Sequence, residues 1–163
     1  MVKLARILTG IVLVLLAFLA LVAWGTRLHV QVVAYEHMPA QANADLAKVL
    51  LLSASRDDPN SDIYKRPASD DIADYQLITI KLEARNIGLI PAEWARVGIE
   101  PSSADVALFA DDGITIPGLG QSRELSATLL FEGEPENQQS ILLTYYIFGR
   151  KLEVAVESLE RDS

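Results

Sequence analysis

The residues best placed to do chemistry are oxygen donors. In Asp57-Asp58-Pro59-Asn60-Ser61-Asp62, the side chains of Asp58, Asn60 and Asp62 alternate as the first ligands of a calcium loop do. Calcium takes roughly six to eight oxygens, and such loops also use a turn glycine and a late bidentate carboxylate. Here Ile63 stands where the glycine belongs and Ser69 where the glutamate belongs, leaving Asp70 and Asp71 as substitutes. The expectation is a solvated acidic loop without a cofactor, with calcium on Asp58, Asn60 and Asp62 as the alternative.

Catalytic chemistry finds little material. The chain has 2 histidines, His29 and His37, and 0 cysteines, so a three-histidine zinc site and a cysteine-containing blue-copper site are both excluded within one chain. No Gly-x-Ser-x-Gly elbow presents a nucleophile, and Gly118-Leu119-Gly120 is a turn without a following helix to cradle phosphate. Carboxylate pairs are numerous, but nothing singles one out. The chain therefore reads as a non-enzyme. Trp94 and Arg96 are the remaining candidates. They share the outward phase of one strand, where a Trp–Arg pair forms a partner contact unless the polar segment 56–74 covers it.

These residues must be positioned by what surrounds them, and the amino terminus comes first. From Ile7 to Trp24 no residue is charged. A helix over that run is about 27 Å long at ~1.5 Å per residue, close to a bilayer's hydrocarbon thickness. Lys3 and Arg6 precede it, which predicts a cytoplasmic amino terminus and an exported remainder. Residues 1–26 thus read as a transmembrane signal-anchor that meets the membrane through residues 7–24. Cleavage after Gly25 is the alternative, since Ala23-Trp24-Gly25 has small residues at suitable offsets. Only Thr26 and Arg27 would link this helix to the next element. Gly10, Ala17, Ala20 and Ala23 would allow close helix approach, as in many anchors.

The rest, residues 27–163, is one domain of acidic balance. Setting Lys3 and Arg6 aside from the 14 basic residues leaves 12 against 22 acidic ones, a net charge of −10. That argues against nucleic-acid partners.

Alternation predicts strands at Leu28–Glu36, Tyr75–Arg85, Trp94–Glu100, around Val106 and Leu108, around Leu125–Phe131, at Ile141–Phe148 and over Leu152–Val156. Ile141–Phe148 is apolar on both faces and reads as central. Asn86-Ile87-Gly88 ends one strand with residues that tolerate positive φ, and Gly149-Arg150 reads as a type II′ turn. Residues 45–54 fit a helix, with Leu46, Val49, Leu50 and Ser53 on one face, or a strand from Lys48 to Ala54. Residues 56–74 read as a long, mobile acidic loop.

About seven strands without alternating helices predict a mainly β, antiparallel sandwich. With these turns in place, Tyr75–Glu157 resembles the immunoglobulin-like modules of bacterial lipoproteins and single-pass membrane proteins. The resemblance rests on the strand ending in Asn86-Ile87-Gly88, the Asp112-Gly113 and Pro117-Gly118 turns, the stretch Glu124–Gly133 (ELSATLLFEG) and the closing hairpin. It implies an extracytoplasmic, non-enzymatic role in adhesion, envelope organisation or complex assembly, and it carries no functional residues over. The short Thr26-Arg27 link, which would keep the domain at the membrane surface, predicts another membrane or envelope protein as the partner. The missing lipidation cysteine leaves the helix as the anchor.

Overall fold

A computed structural model describes residues 2–25, 27–56, 61–133 and 140–156. Helix α1 runs Val2–Gly25. Nine strands follow: β1 (Leu28–Pro39), β2 (Ser61–Ile63), β3 (Tyr75–Asn86), β4 (Ala92–Ile99), β5 (Asp105–Ala110), β6 (Ile114–Ile116), β7 (Ser122–Glu132), β8 (Ile141–Ile147) and β9 (Arg150–Val156). A second helix, α2 (Ala44–Ser55), lies between β1 and β2. The strands form two antiparallel sheets, β1-β3-β7-β5-β2 and β6-β4-β8-β9, packed face to face. The chain is a β-sandwich. Its strand count exceeds seven because β2 and β6, three residues each, are too short to show any alternation.

The sandwich core follows the alternation of the sequence. Ile78, Ile80, Leu82 and Ala84 of β3 meet Leu125, Ala127, Leu129 and Phe131 of β7, and across the gap Ala95, Val97 and Ile99 of β4 and Leu143 and Tyr145 of β8. Burying such apolar side chains is worth roughly 1.5–3 kcal/mol each for the larger ones. β8 is central, as its two-sided apolarity implies, lying between β4 and β9.

A second apolar cluster sits on the opposite face of the five-stranded sheet. There Ala47, Leu50, Leu51 and Ala54 of α2 cover Tyr75, Leu77, Val106, Ala107 and Leu130. Helix therefore wins over strand at 45–54. The Asn43 side chain caps its first turn by accepting from Leu46 N at 3.4 Å, and the four apolar residues fall at helical spacing.

Segment 61–74 is pinned rather than a mobile loop. β2 pairs with β5, and Tyr64 N and Lys65 N both donate to Val106 O. Glu132 accepts from Lys65 Nζ at 2.7 Å and from Ala68 N at 3.2 Å. The Tyr75 hydroxyl donates to Ser69 O and accepts from Ser69 N.

The apolar residues of α1 from Ile7 to Leu19 are exposed, and its described side chains enter neither core cluster. Among the described residues, no helix is long and apolar enough to cross a membrane. The transmembrane anchor expected over residues 1–26 is therefore not supported by a span among the described residues. Where the sandwich begins, Arg27 O accepts from Ile87 N at 3.3 Å. The buried Tyr145 phenol hydrogen-bonds with the Leu28 backbone. The first strand is thus tied to β3 and to the opposite sheet at its very start.

Candidate functional site

The outward face of the four-stranded sheet carries a groove of about 730 Å³. Its shape starts from an irregularity in β4. Ala92 and Ala95 are both buried, three residues apart, and pairing with β6 and β8 shifts between them. An extra residue on one strand is a β-bulge. Trp94 falls within it, with φ of 53°, and is 65% exposed. The ring lies at ordinary contact distance, 3.7 Å, from where a Cβ on Gly113 would stand, and it is the φ of 69° that favours glycine at that position.

Arg96 lies two residues on, and Asp62 of β2 reaches its Nη2 at 2.9 Å while Asp112 stands 4.0 Å from Nη1. The pinned segment therefore touches Arg96 but leaves Trp94 uncovered, contrary to the covering expected from 56–74. Glu93, Tyr146 and Lys151 complete the polar lining, with Gly98 and Thr144 along its floor. Sequence reasoning had not picked out these partners. The signal for Tyr146 was present in the alternation of β8, where buried Tyr145 fixes its neighbour outward.

Tyr64 belongs to the same pinned segment. Burial, then the Asp62 and Asp105 carboxylates, push its phenol up to about 12, against a weaker opposing effect of Arg96. It stays neutral across the physiological range and packs against the sandwich core.

Of the three calcium candidates, Asp58 and Asn60 lie outside the described residues. Asp62 is ion-paired with Arg96. Among the described residues no three His, Asp or Glu side chains converge as a metal cluster. The histidines do not meet either. His29 is exposed, while half-buried His37 hydrogen-bonds with Gln76 Oε1 and lies tilted at 33° to the Phe131 ring, with 5.8 Å between ring centroids. The groove is lined by aromatic and charged side chains.

No family model matches the chain, and no curated protein matches it. Among solved structures it is similar to an uncharacterized β-sandwich protein from Clostridium difficile 630. The two share 8% identity, with 79% of this chain and 85% of that chain covered and a TM-score of 0.32. So weak a likeness carries no argument about the site.

Proposed function

We propose that the chain is a single-pass membrane protein whose β-sandwich acts outside the cytoplasm as an interaction module beside another membrane or envelope protein. One observation carries this reading. The side chains described on α1 are apolar from Ile7 to Ala20 except Thr9, point outward on every side, and take no part in either core. A helix apolar all round needs an apolar environment, and the sandwich does not supply it. The cations Lys3 and Arg6 before the apolar run favour a cytoplasmic amino terminus.

An immunoglobulin-like assignment is supported by the pairing order. β1-β3-β7-β5 and β4-β8-β9 correspond to the A-B-E-D and C-F-G sheets of that architecture, with β2 and β6 as short additions at the edges. The groove with Trp94 and Arg96 is the contact surface, because exposed Trp and Arg are the residues that most often anchor interfaces. Calcium gains no support from Asp62, whose carboxylate is already matched by a guanidinium.

The test is native purification of the carboxy-terminally tagged chain from membranes after alkaline carbonate washing. Retention through the wash, residues 1–25 intact and a second membrane protein at fixed stoichiometry are expected. Release by carbonate, or a chain beginning at Thr26, would overturn the anchor. Purification of the intact chain alone would overturn the accessory role.

A further inference from the structure

Four connections converge on one end of the sandwich. The α1–β1 junction lies there, because Leu28 pairs with Asn86 and Arg27 O bonds to Ile87 N. The β3–β4 loop (87–91) begins at that same Asn86. The β6–β7 loop (117–121) is there too, since Ile116 pairs with Ala92, Ser122 with Arg85, and Leu119 N donates to Gly88 O at 2.7 Å. The β8–β9 turn completes the set, with Glu93 opposite Tyr146 and Ile147 opposite Arg150.

Each of the three sandwich connections displays large apolar side chains to the outside. Ile87 is 59% exposed, Leu89 58%, Leu119 73% and Phe148 69%. Leu119 and Phe148 hold φ of 64° and 50°, a region that costs a non-glycine residue about 1–2 kcal/mol. Two of these loops, 87–91 and 117–121, are braced against each other. Buried Asn86 bonds Ile90 O, Ile116 O and Gly88 N, and Gly118 packs so closely that a Cβ would stand 2.5 Å from Leu89 O.

Charge at this end runs against the rest of the domain. Arg27, Arg85, Arg123, Arg150 and Lys151 lie on the outermost two positions of its strands or just before them. Among the described residues the one acid there is Glu93, although Lys151 also pairs with Glu153 at 2.7 Å. A domain of net charge −10 has gathered cations around an apolar tip.

We infer that this tip docks into the membrane leaflet from which α1 emerges. Ile87, Leu89, Leu119 and Phe148 enter the boundary between acyl chains and headgroups, and the ring of cations reaches lipid phosphates. Apolar side chains held at a basic rim are what an interfacial site requires, and long cationic side chains place their charges at headgroup level. The inference rests on the anchor reading, which supplies the nearby bilayer. The opposite end, near which α2 covers the outer face of the five-stranded sheet, lies about 35–40 Å away by the length of β3 at ~3.3 Å per residue.

The chain's lack of cysteine makes the test direct. Full-length Leu89→Cys, Leu119→Cys and Phe148→Cys, with Leu52→Cys on α2 as the remote control, are labelled with an environment-sensitive fluorophore. They are reconstituted into phosphatidylcholine–phosphatidylglycerol vesicles and floated. Labels at 89, 119 and 148 should shift to the blue and lose intensity to nitroxide carried on the lipid tails, while the label at 52 does neither. A chain that floats with unquenched tip labels overturns the docking and leaves the anchor standing, whether the labels report water or a second copy. A chain that does not float overturns both.

Discussion

Asn86→Ala is the substitution that most directly tests how the tip is held. Asn86 is fully buried, and its amide donates to Ile90 O at 2.7 Å and Ile116 O at 3.2 Å while accepting from Gly88 N at 2.9 Å. Truncation leaves two carbonyls and one N–H unmatched. Each such group costs about 1–2 kcal/mol when water cannot reach it, so the expected loss is ~3–6 kcal/mol. That is a large share of the ~5–15 kcal/mol by which domains are usually stable. The assay is urea unfolding of the full chain in detergent, followed by tryptophan fluorescence.

Asn86→Asp adds a second reading. It keeps the acceptor for Gly88 but aims a carboxylate at two carbonyls, which raises its folded pKa above the unfolded value. Stability should then be greatest at low pH, where the acid can donate, and fall as pH rises through the folded pKa. An alanine variant losing under ~1 kcal/mol, or an aspartate variant insensitive to pH, would refute the claim that this side chain ties the two loops together.

Gly118→Ala should lose ~1–3 kcal/mol in the same assay, because the clash is with backbone and neither strand end can yield. Asp62→Ala and Arg96→Ala should each change stability by less than ~1 kcal/mol, since the pair is partly exposed. Loss of a copurifying partner in either variant would therefore report binding rather than unfolding. For Tyr64 the folded pKa lies above its ordinary value of 10.0, at about 12. The stability this provides is complete below pH 10.0 and is lost as pH rises through about 12. Unfolding midpoints measured across that window should fall more steeply in the wild type than in Tyr64→Phe.

The two large sheets were legible because the inward residues of β3 and β7 alternate cleanly over long runs, while β8 stood out as a short run apolar on both faces. The helix α2 was ambiguous for a physical reason: Lys48–Ala54 is apolar on too many positions to separate the two periods, and the cap at Asn43 together with the covered face of the five-stranded sheet decides it. Asn86-Ile87-Gly88 does end β3, but Asn86 and Gly88 do not adopt positive φ; the buried amide does the work. The last hairpin turns one residue earlier than Gly149-Arg150. Its central residues are Phe148 and Gly149, both with positive φ, the combination of a type I′ turn rather than II′. Trp94 and Arg96 were found on their outward phase, whereas the tip could not be read. Its apolar residues lie in separate loops, and only the antiparallel topology brings them together.

Trp94, Leu119 and Phe148 are the non-glycine residues with positive φ among those described, and all three are large, apolar and exposed. Glycine at each position would relieve the backbone by about 1 kcal/mol. Selection for heat resistance alone would therefore drift toward glycine at 94, 119 and 148. The protein so obtained would be harder to unfold and would lack the large apolar side chains of the two proposed surfaces, the familiar opposition between stability and activity. On the contact and docking readings proposed above, the positive φ at these three positions is what the chain gives up in stability to keep large apolar side chains there.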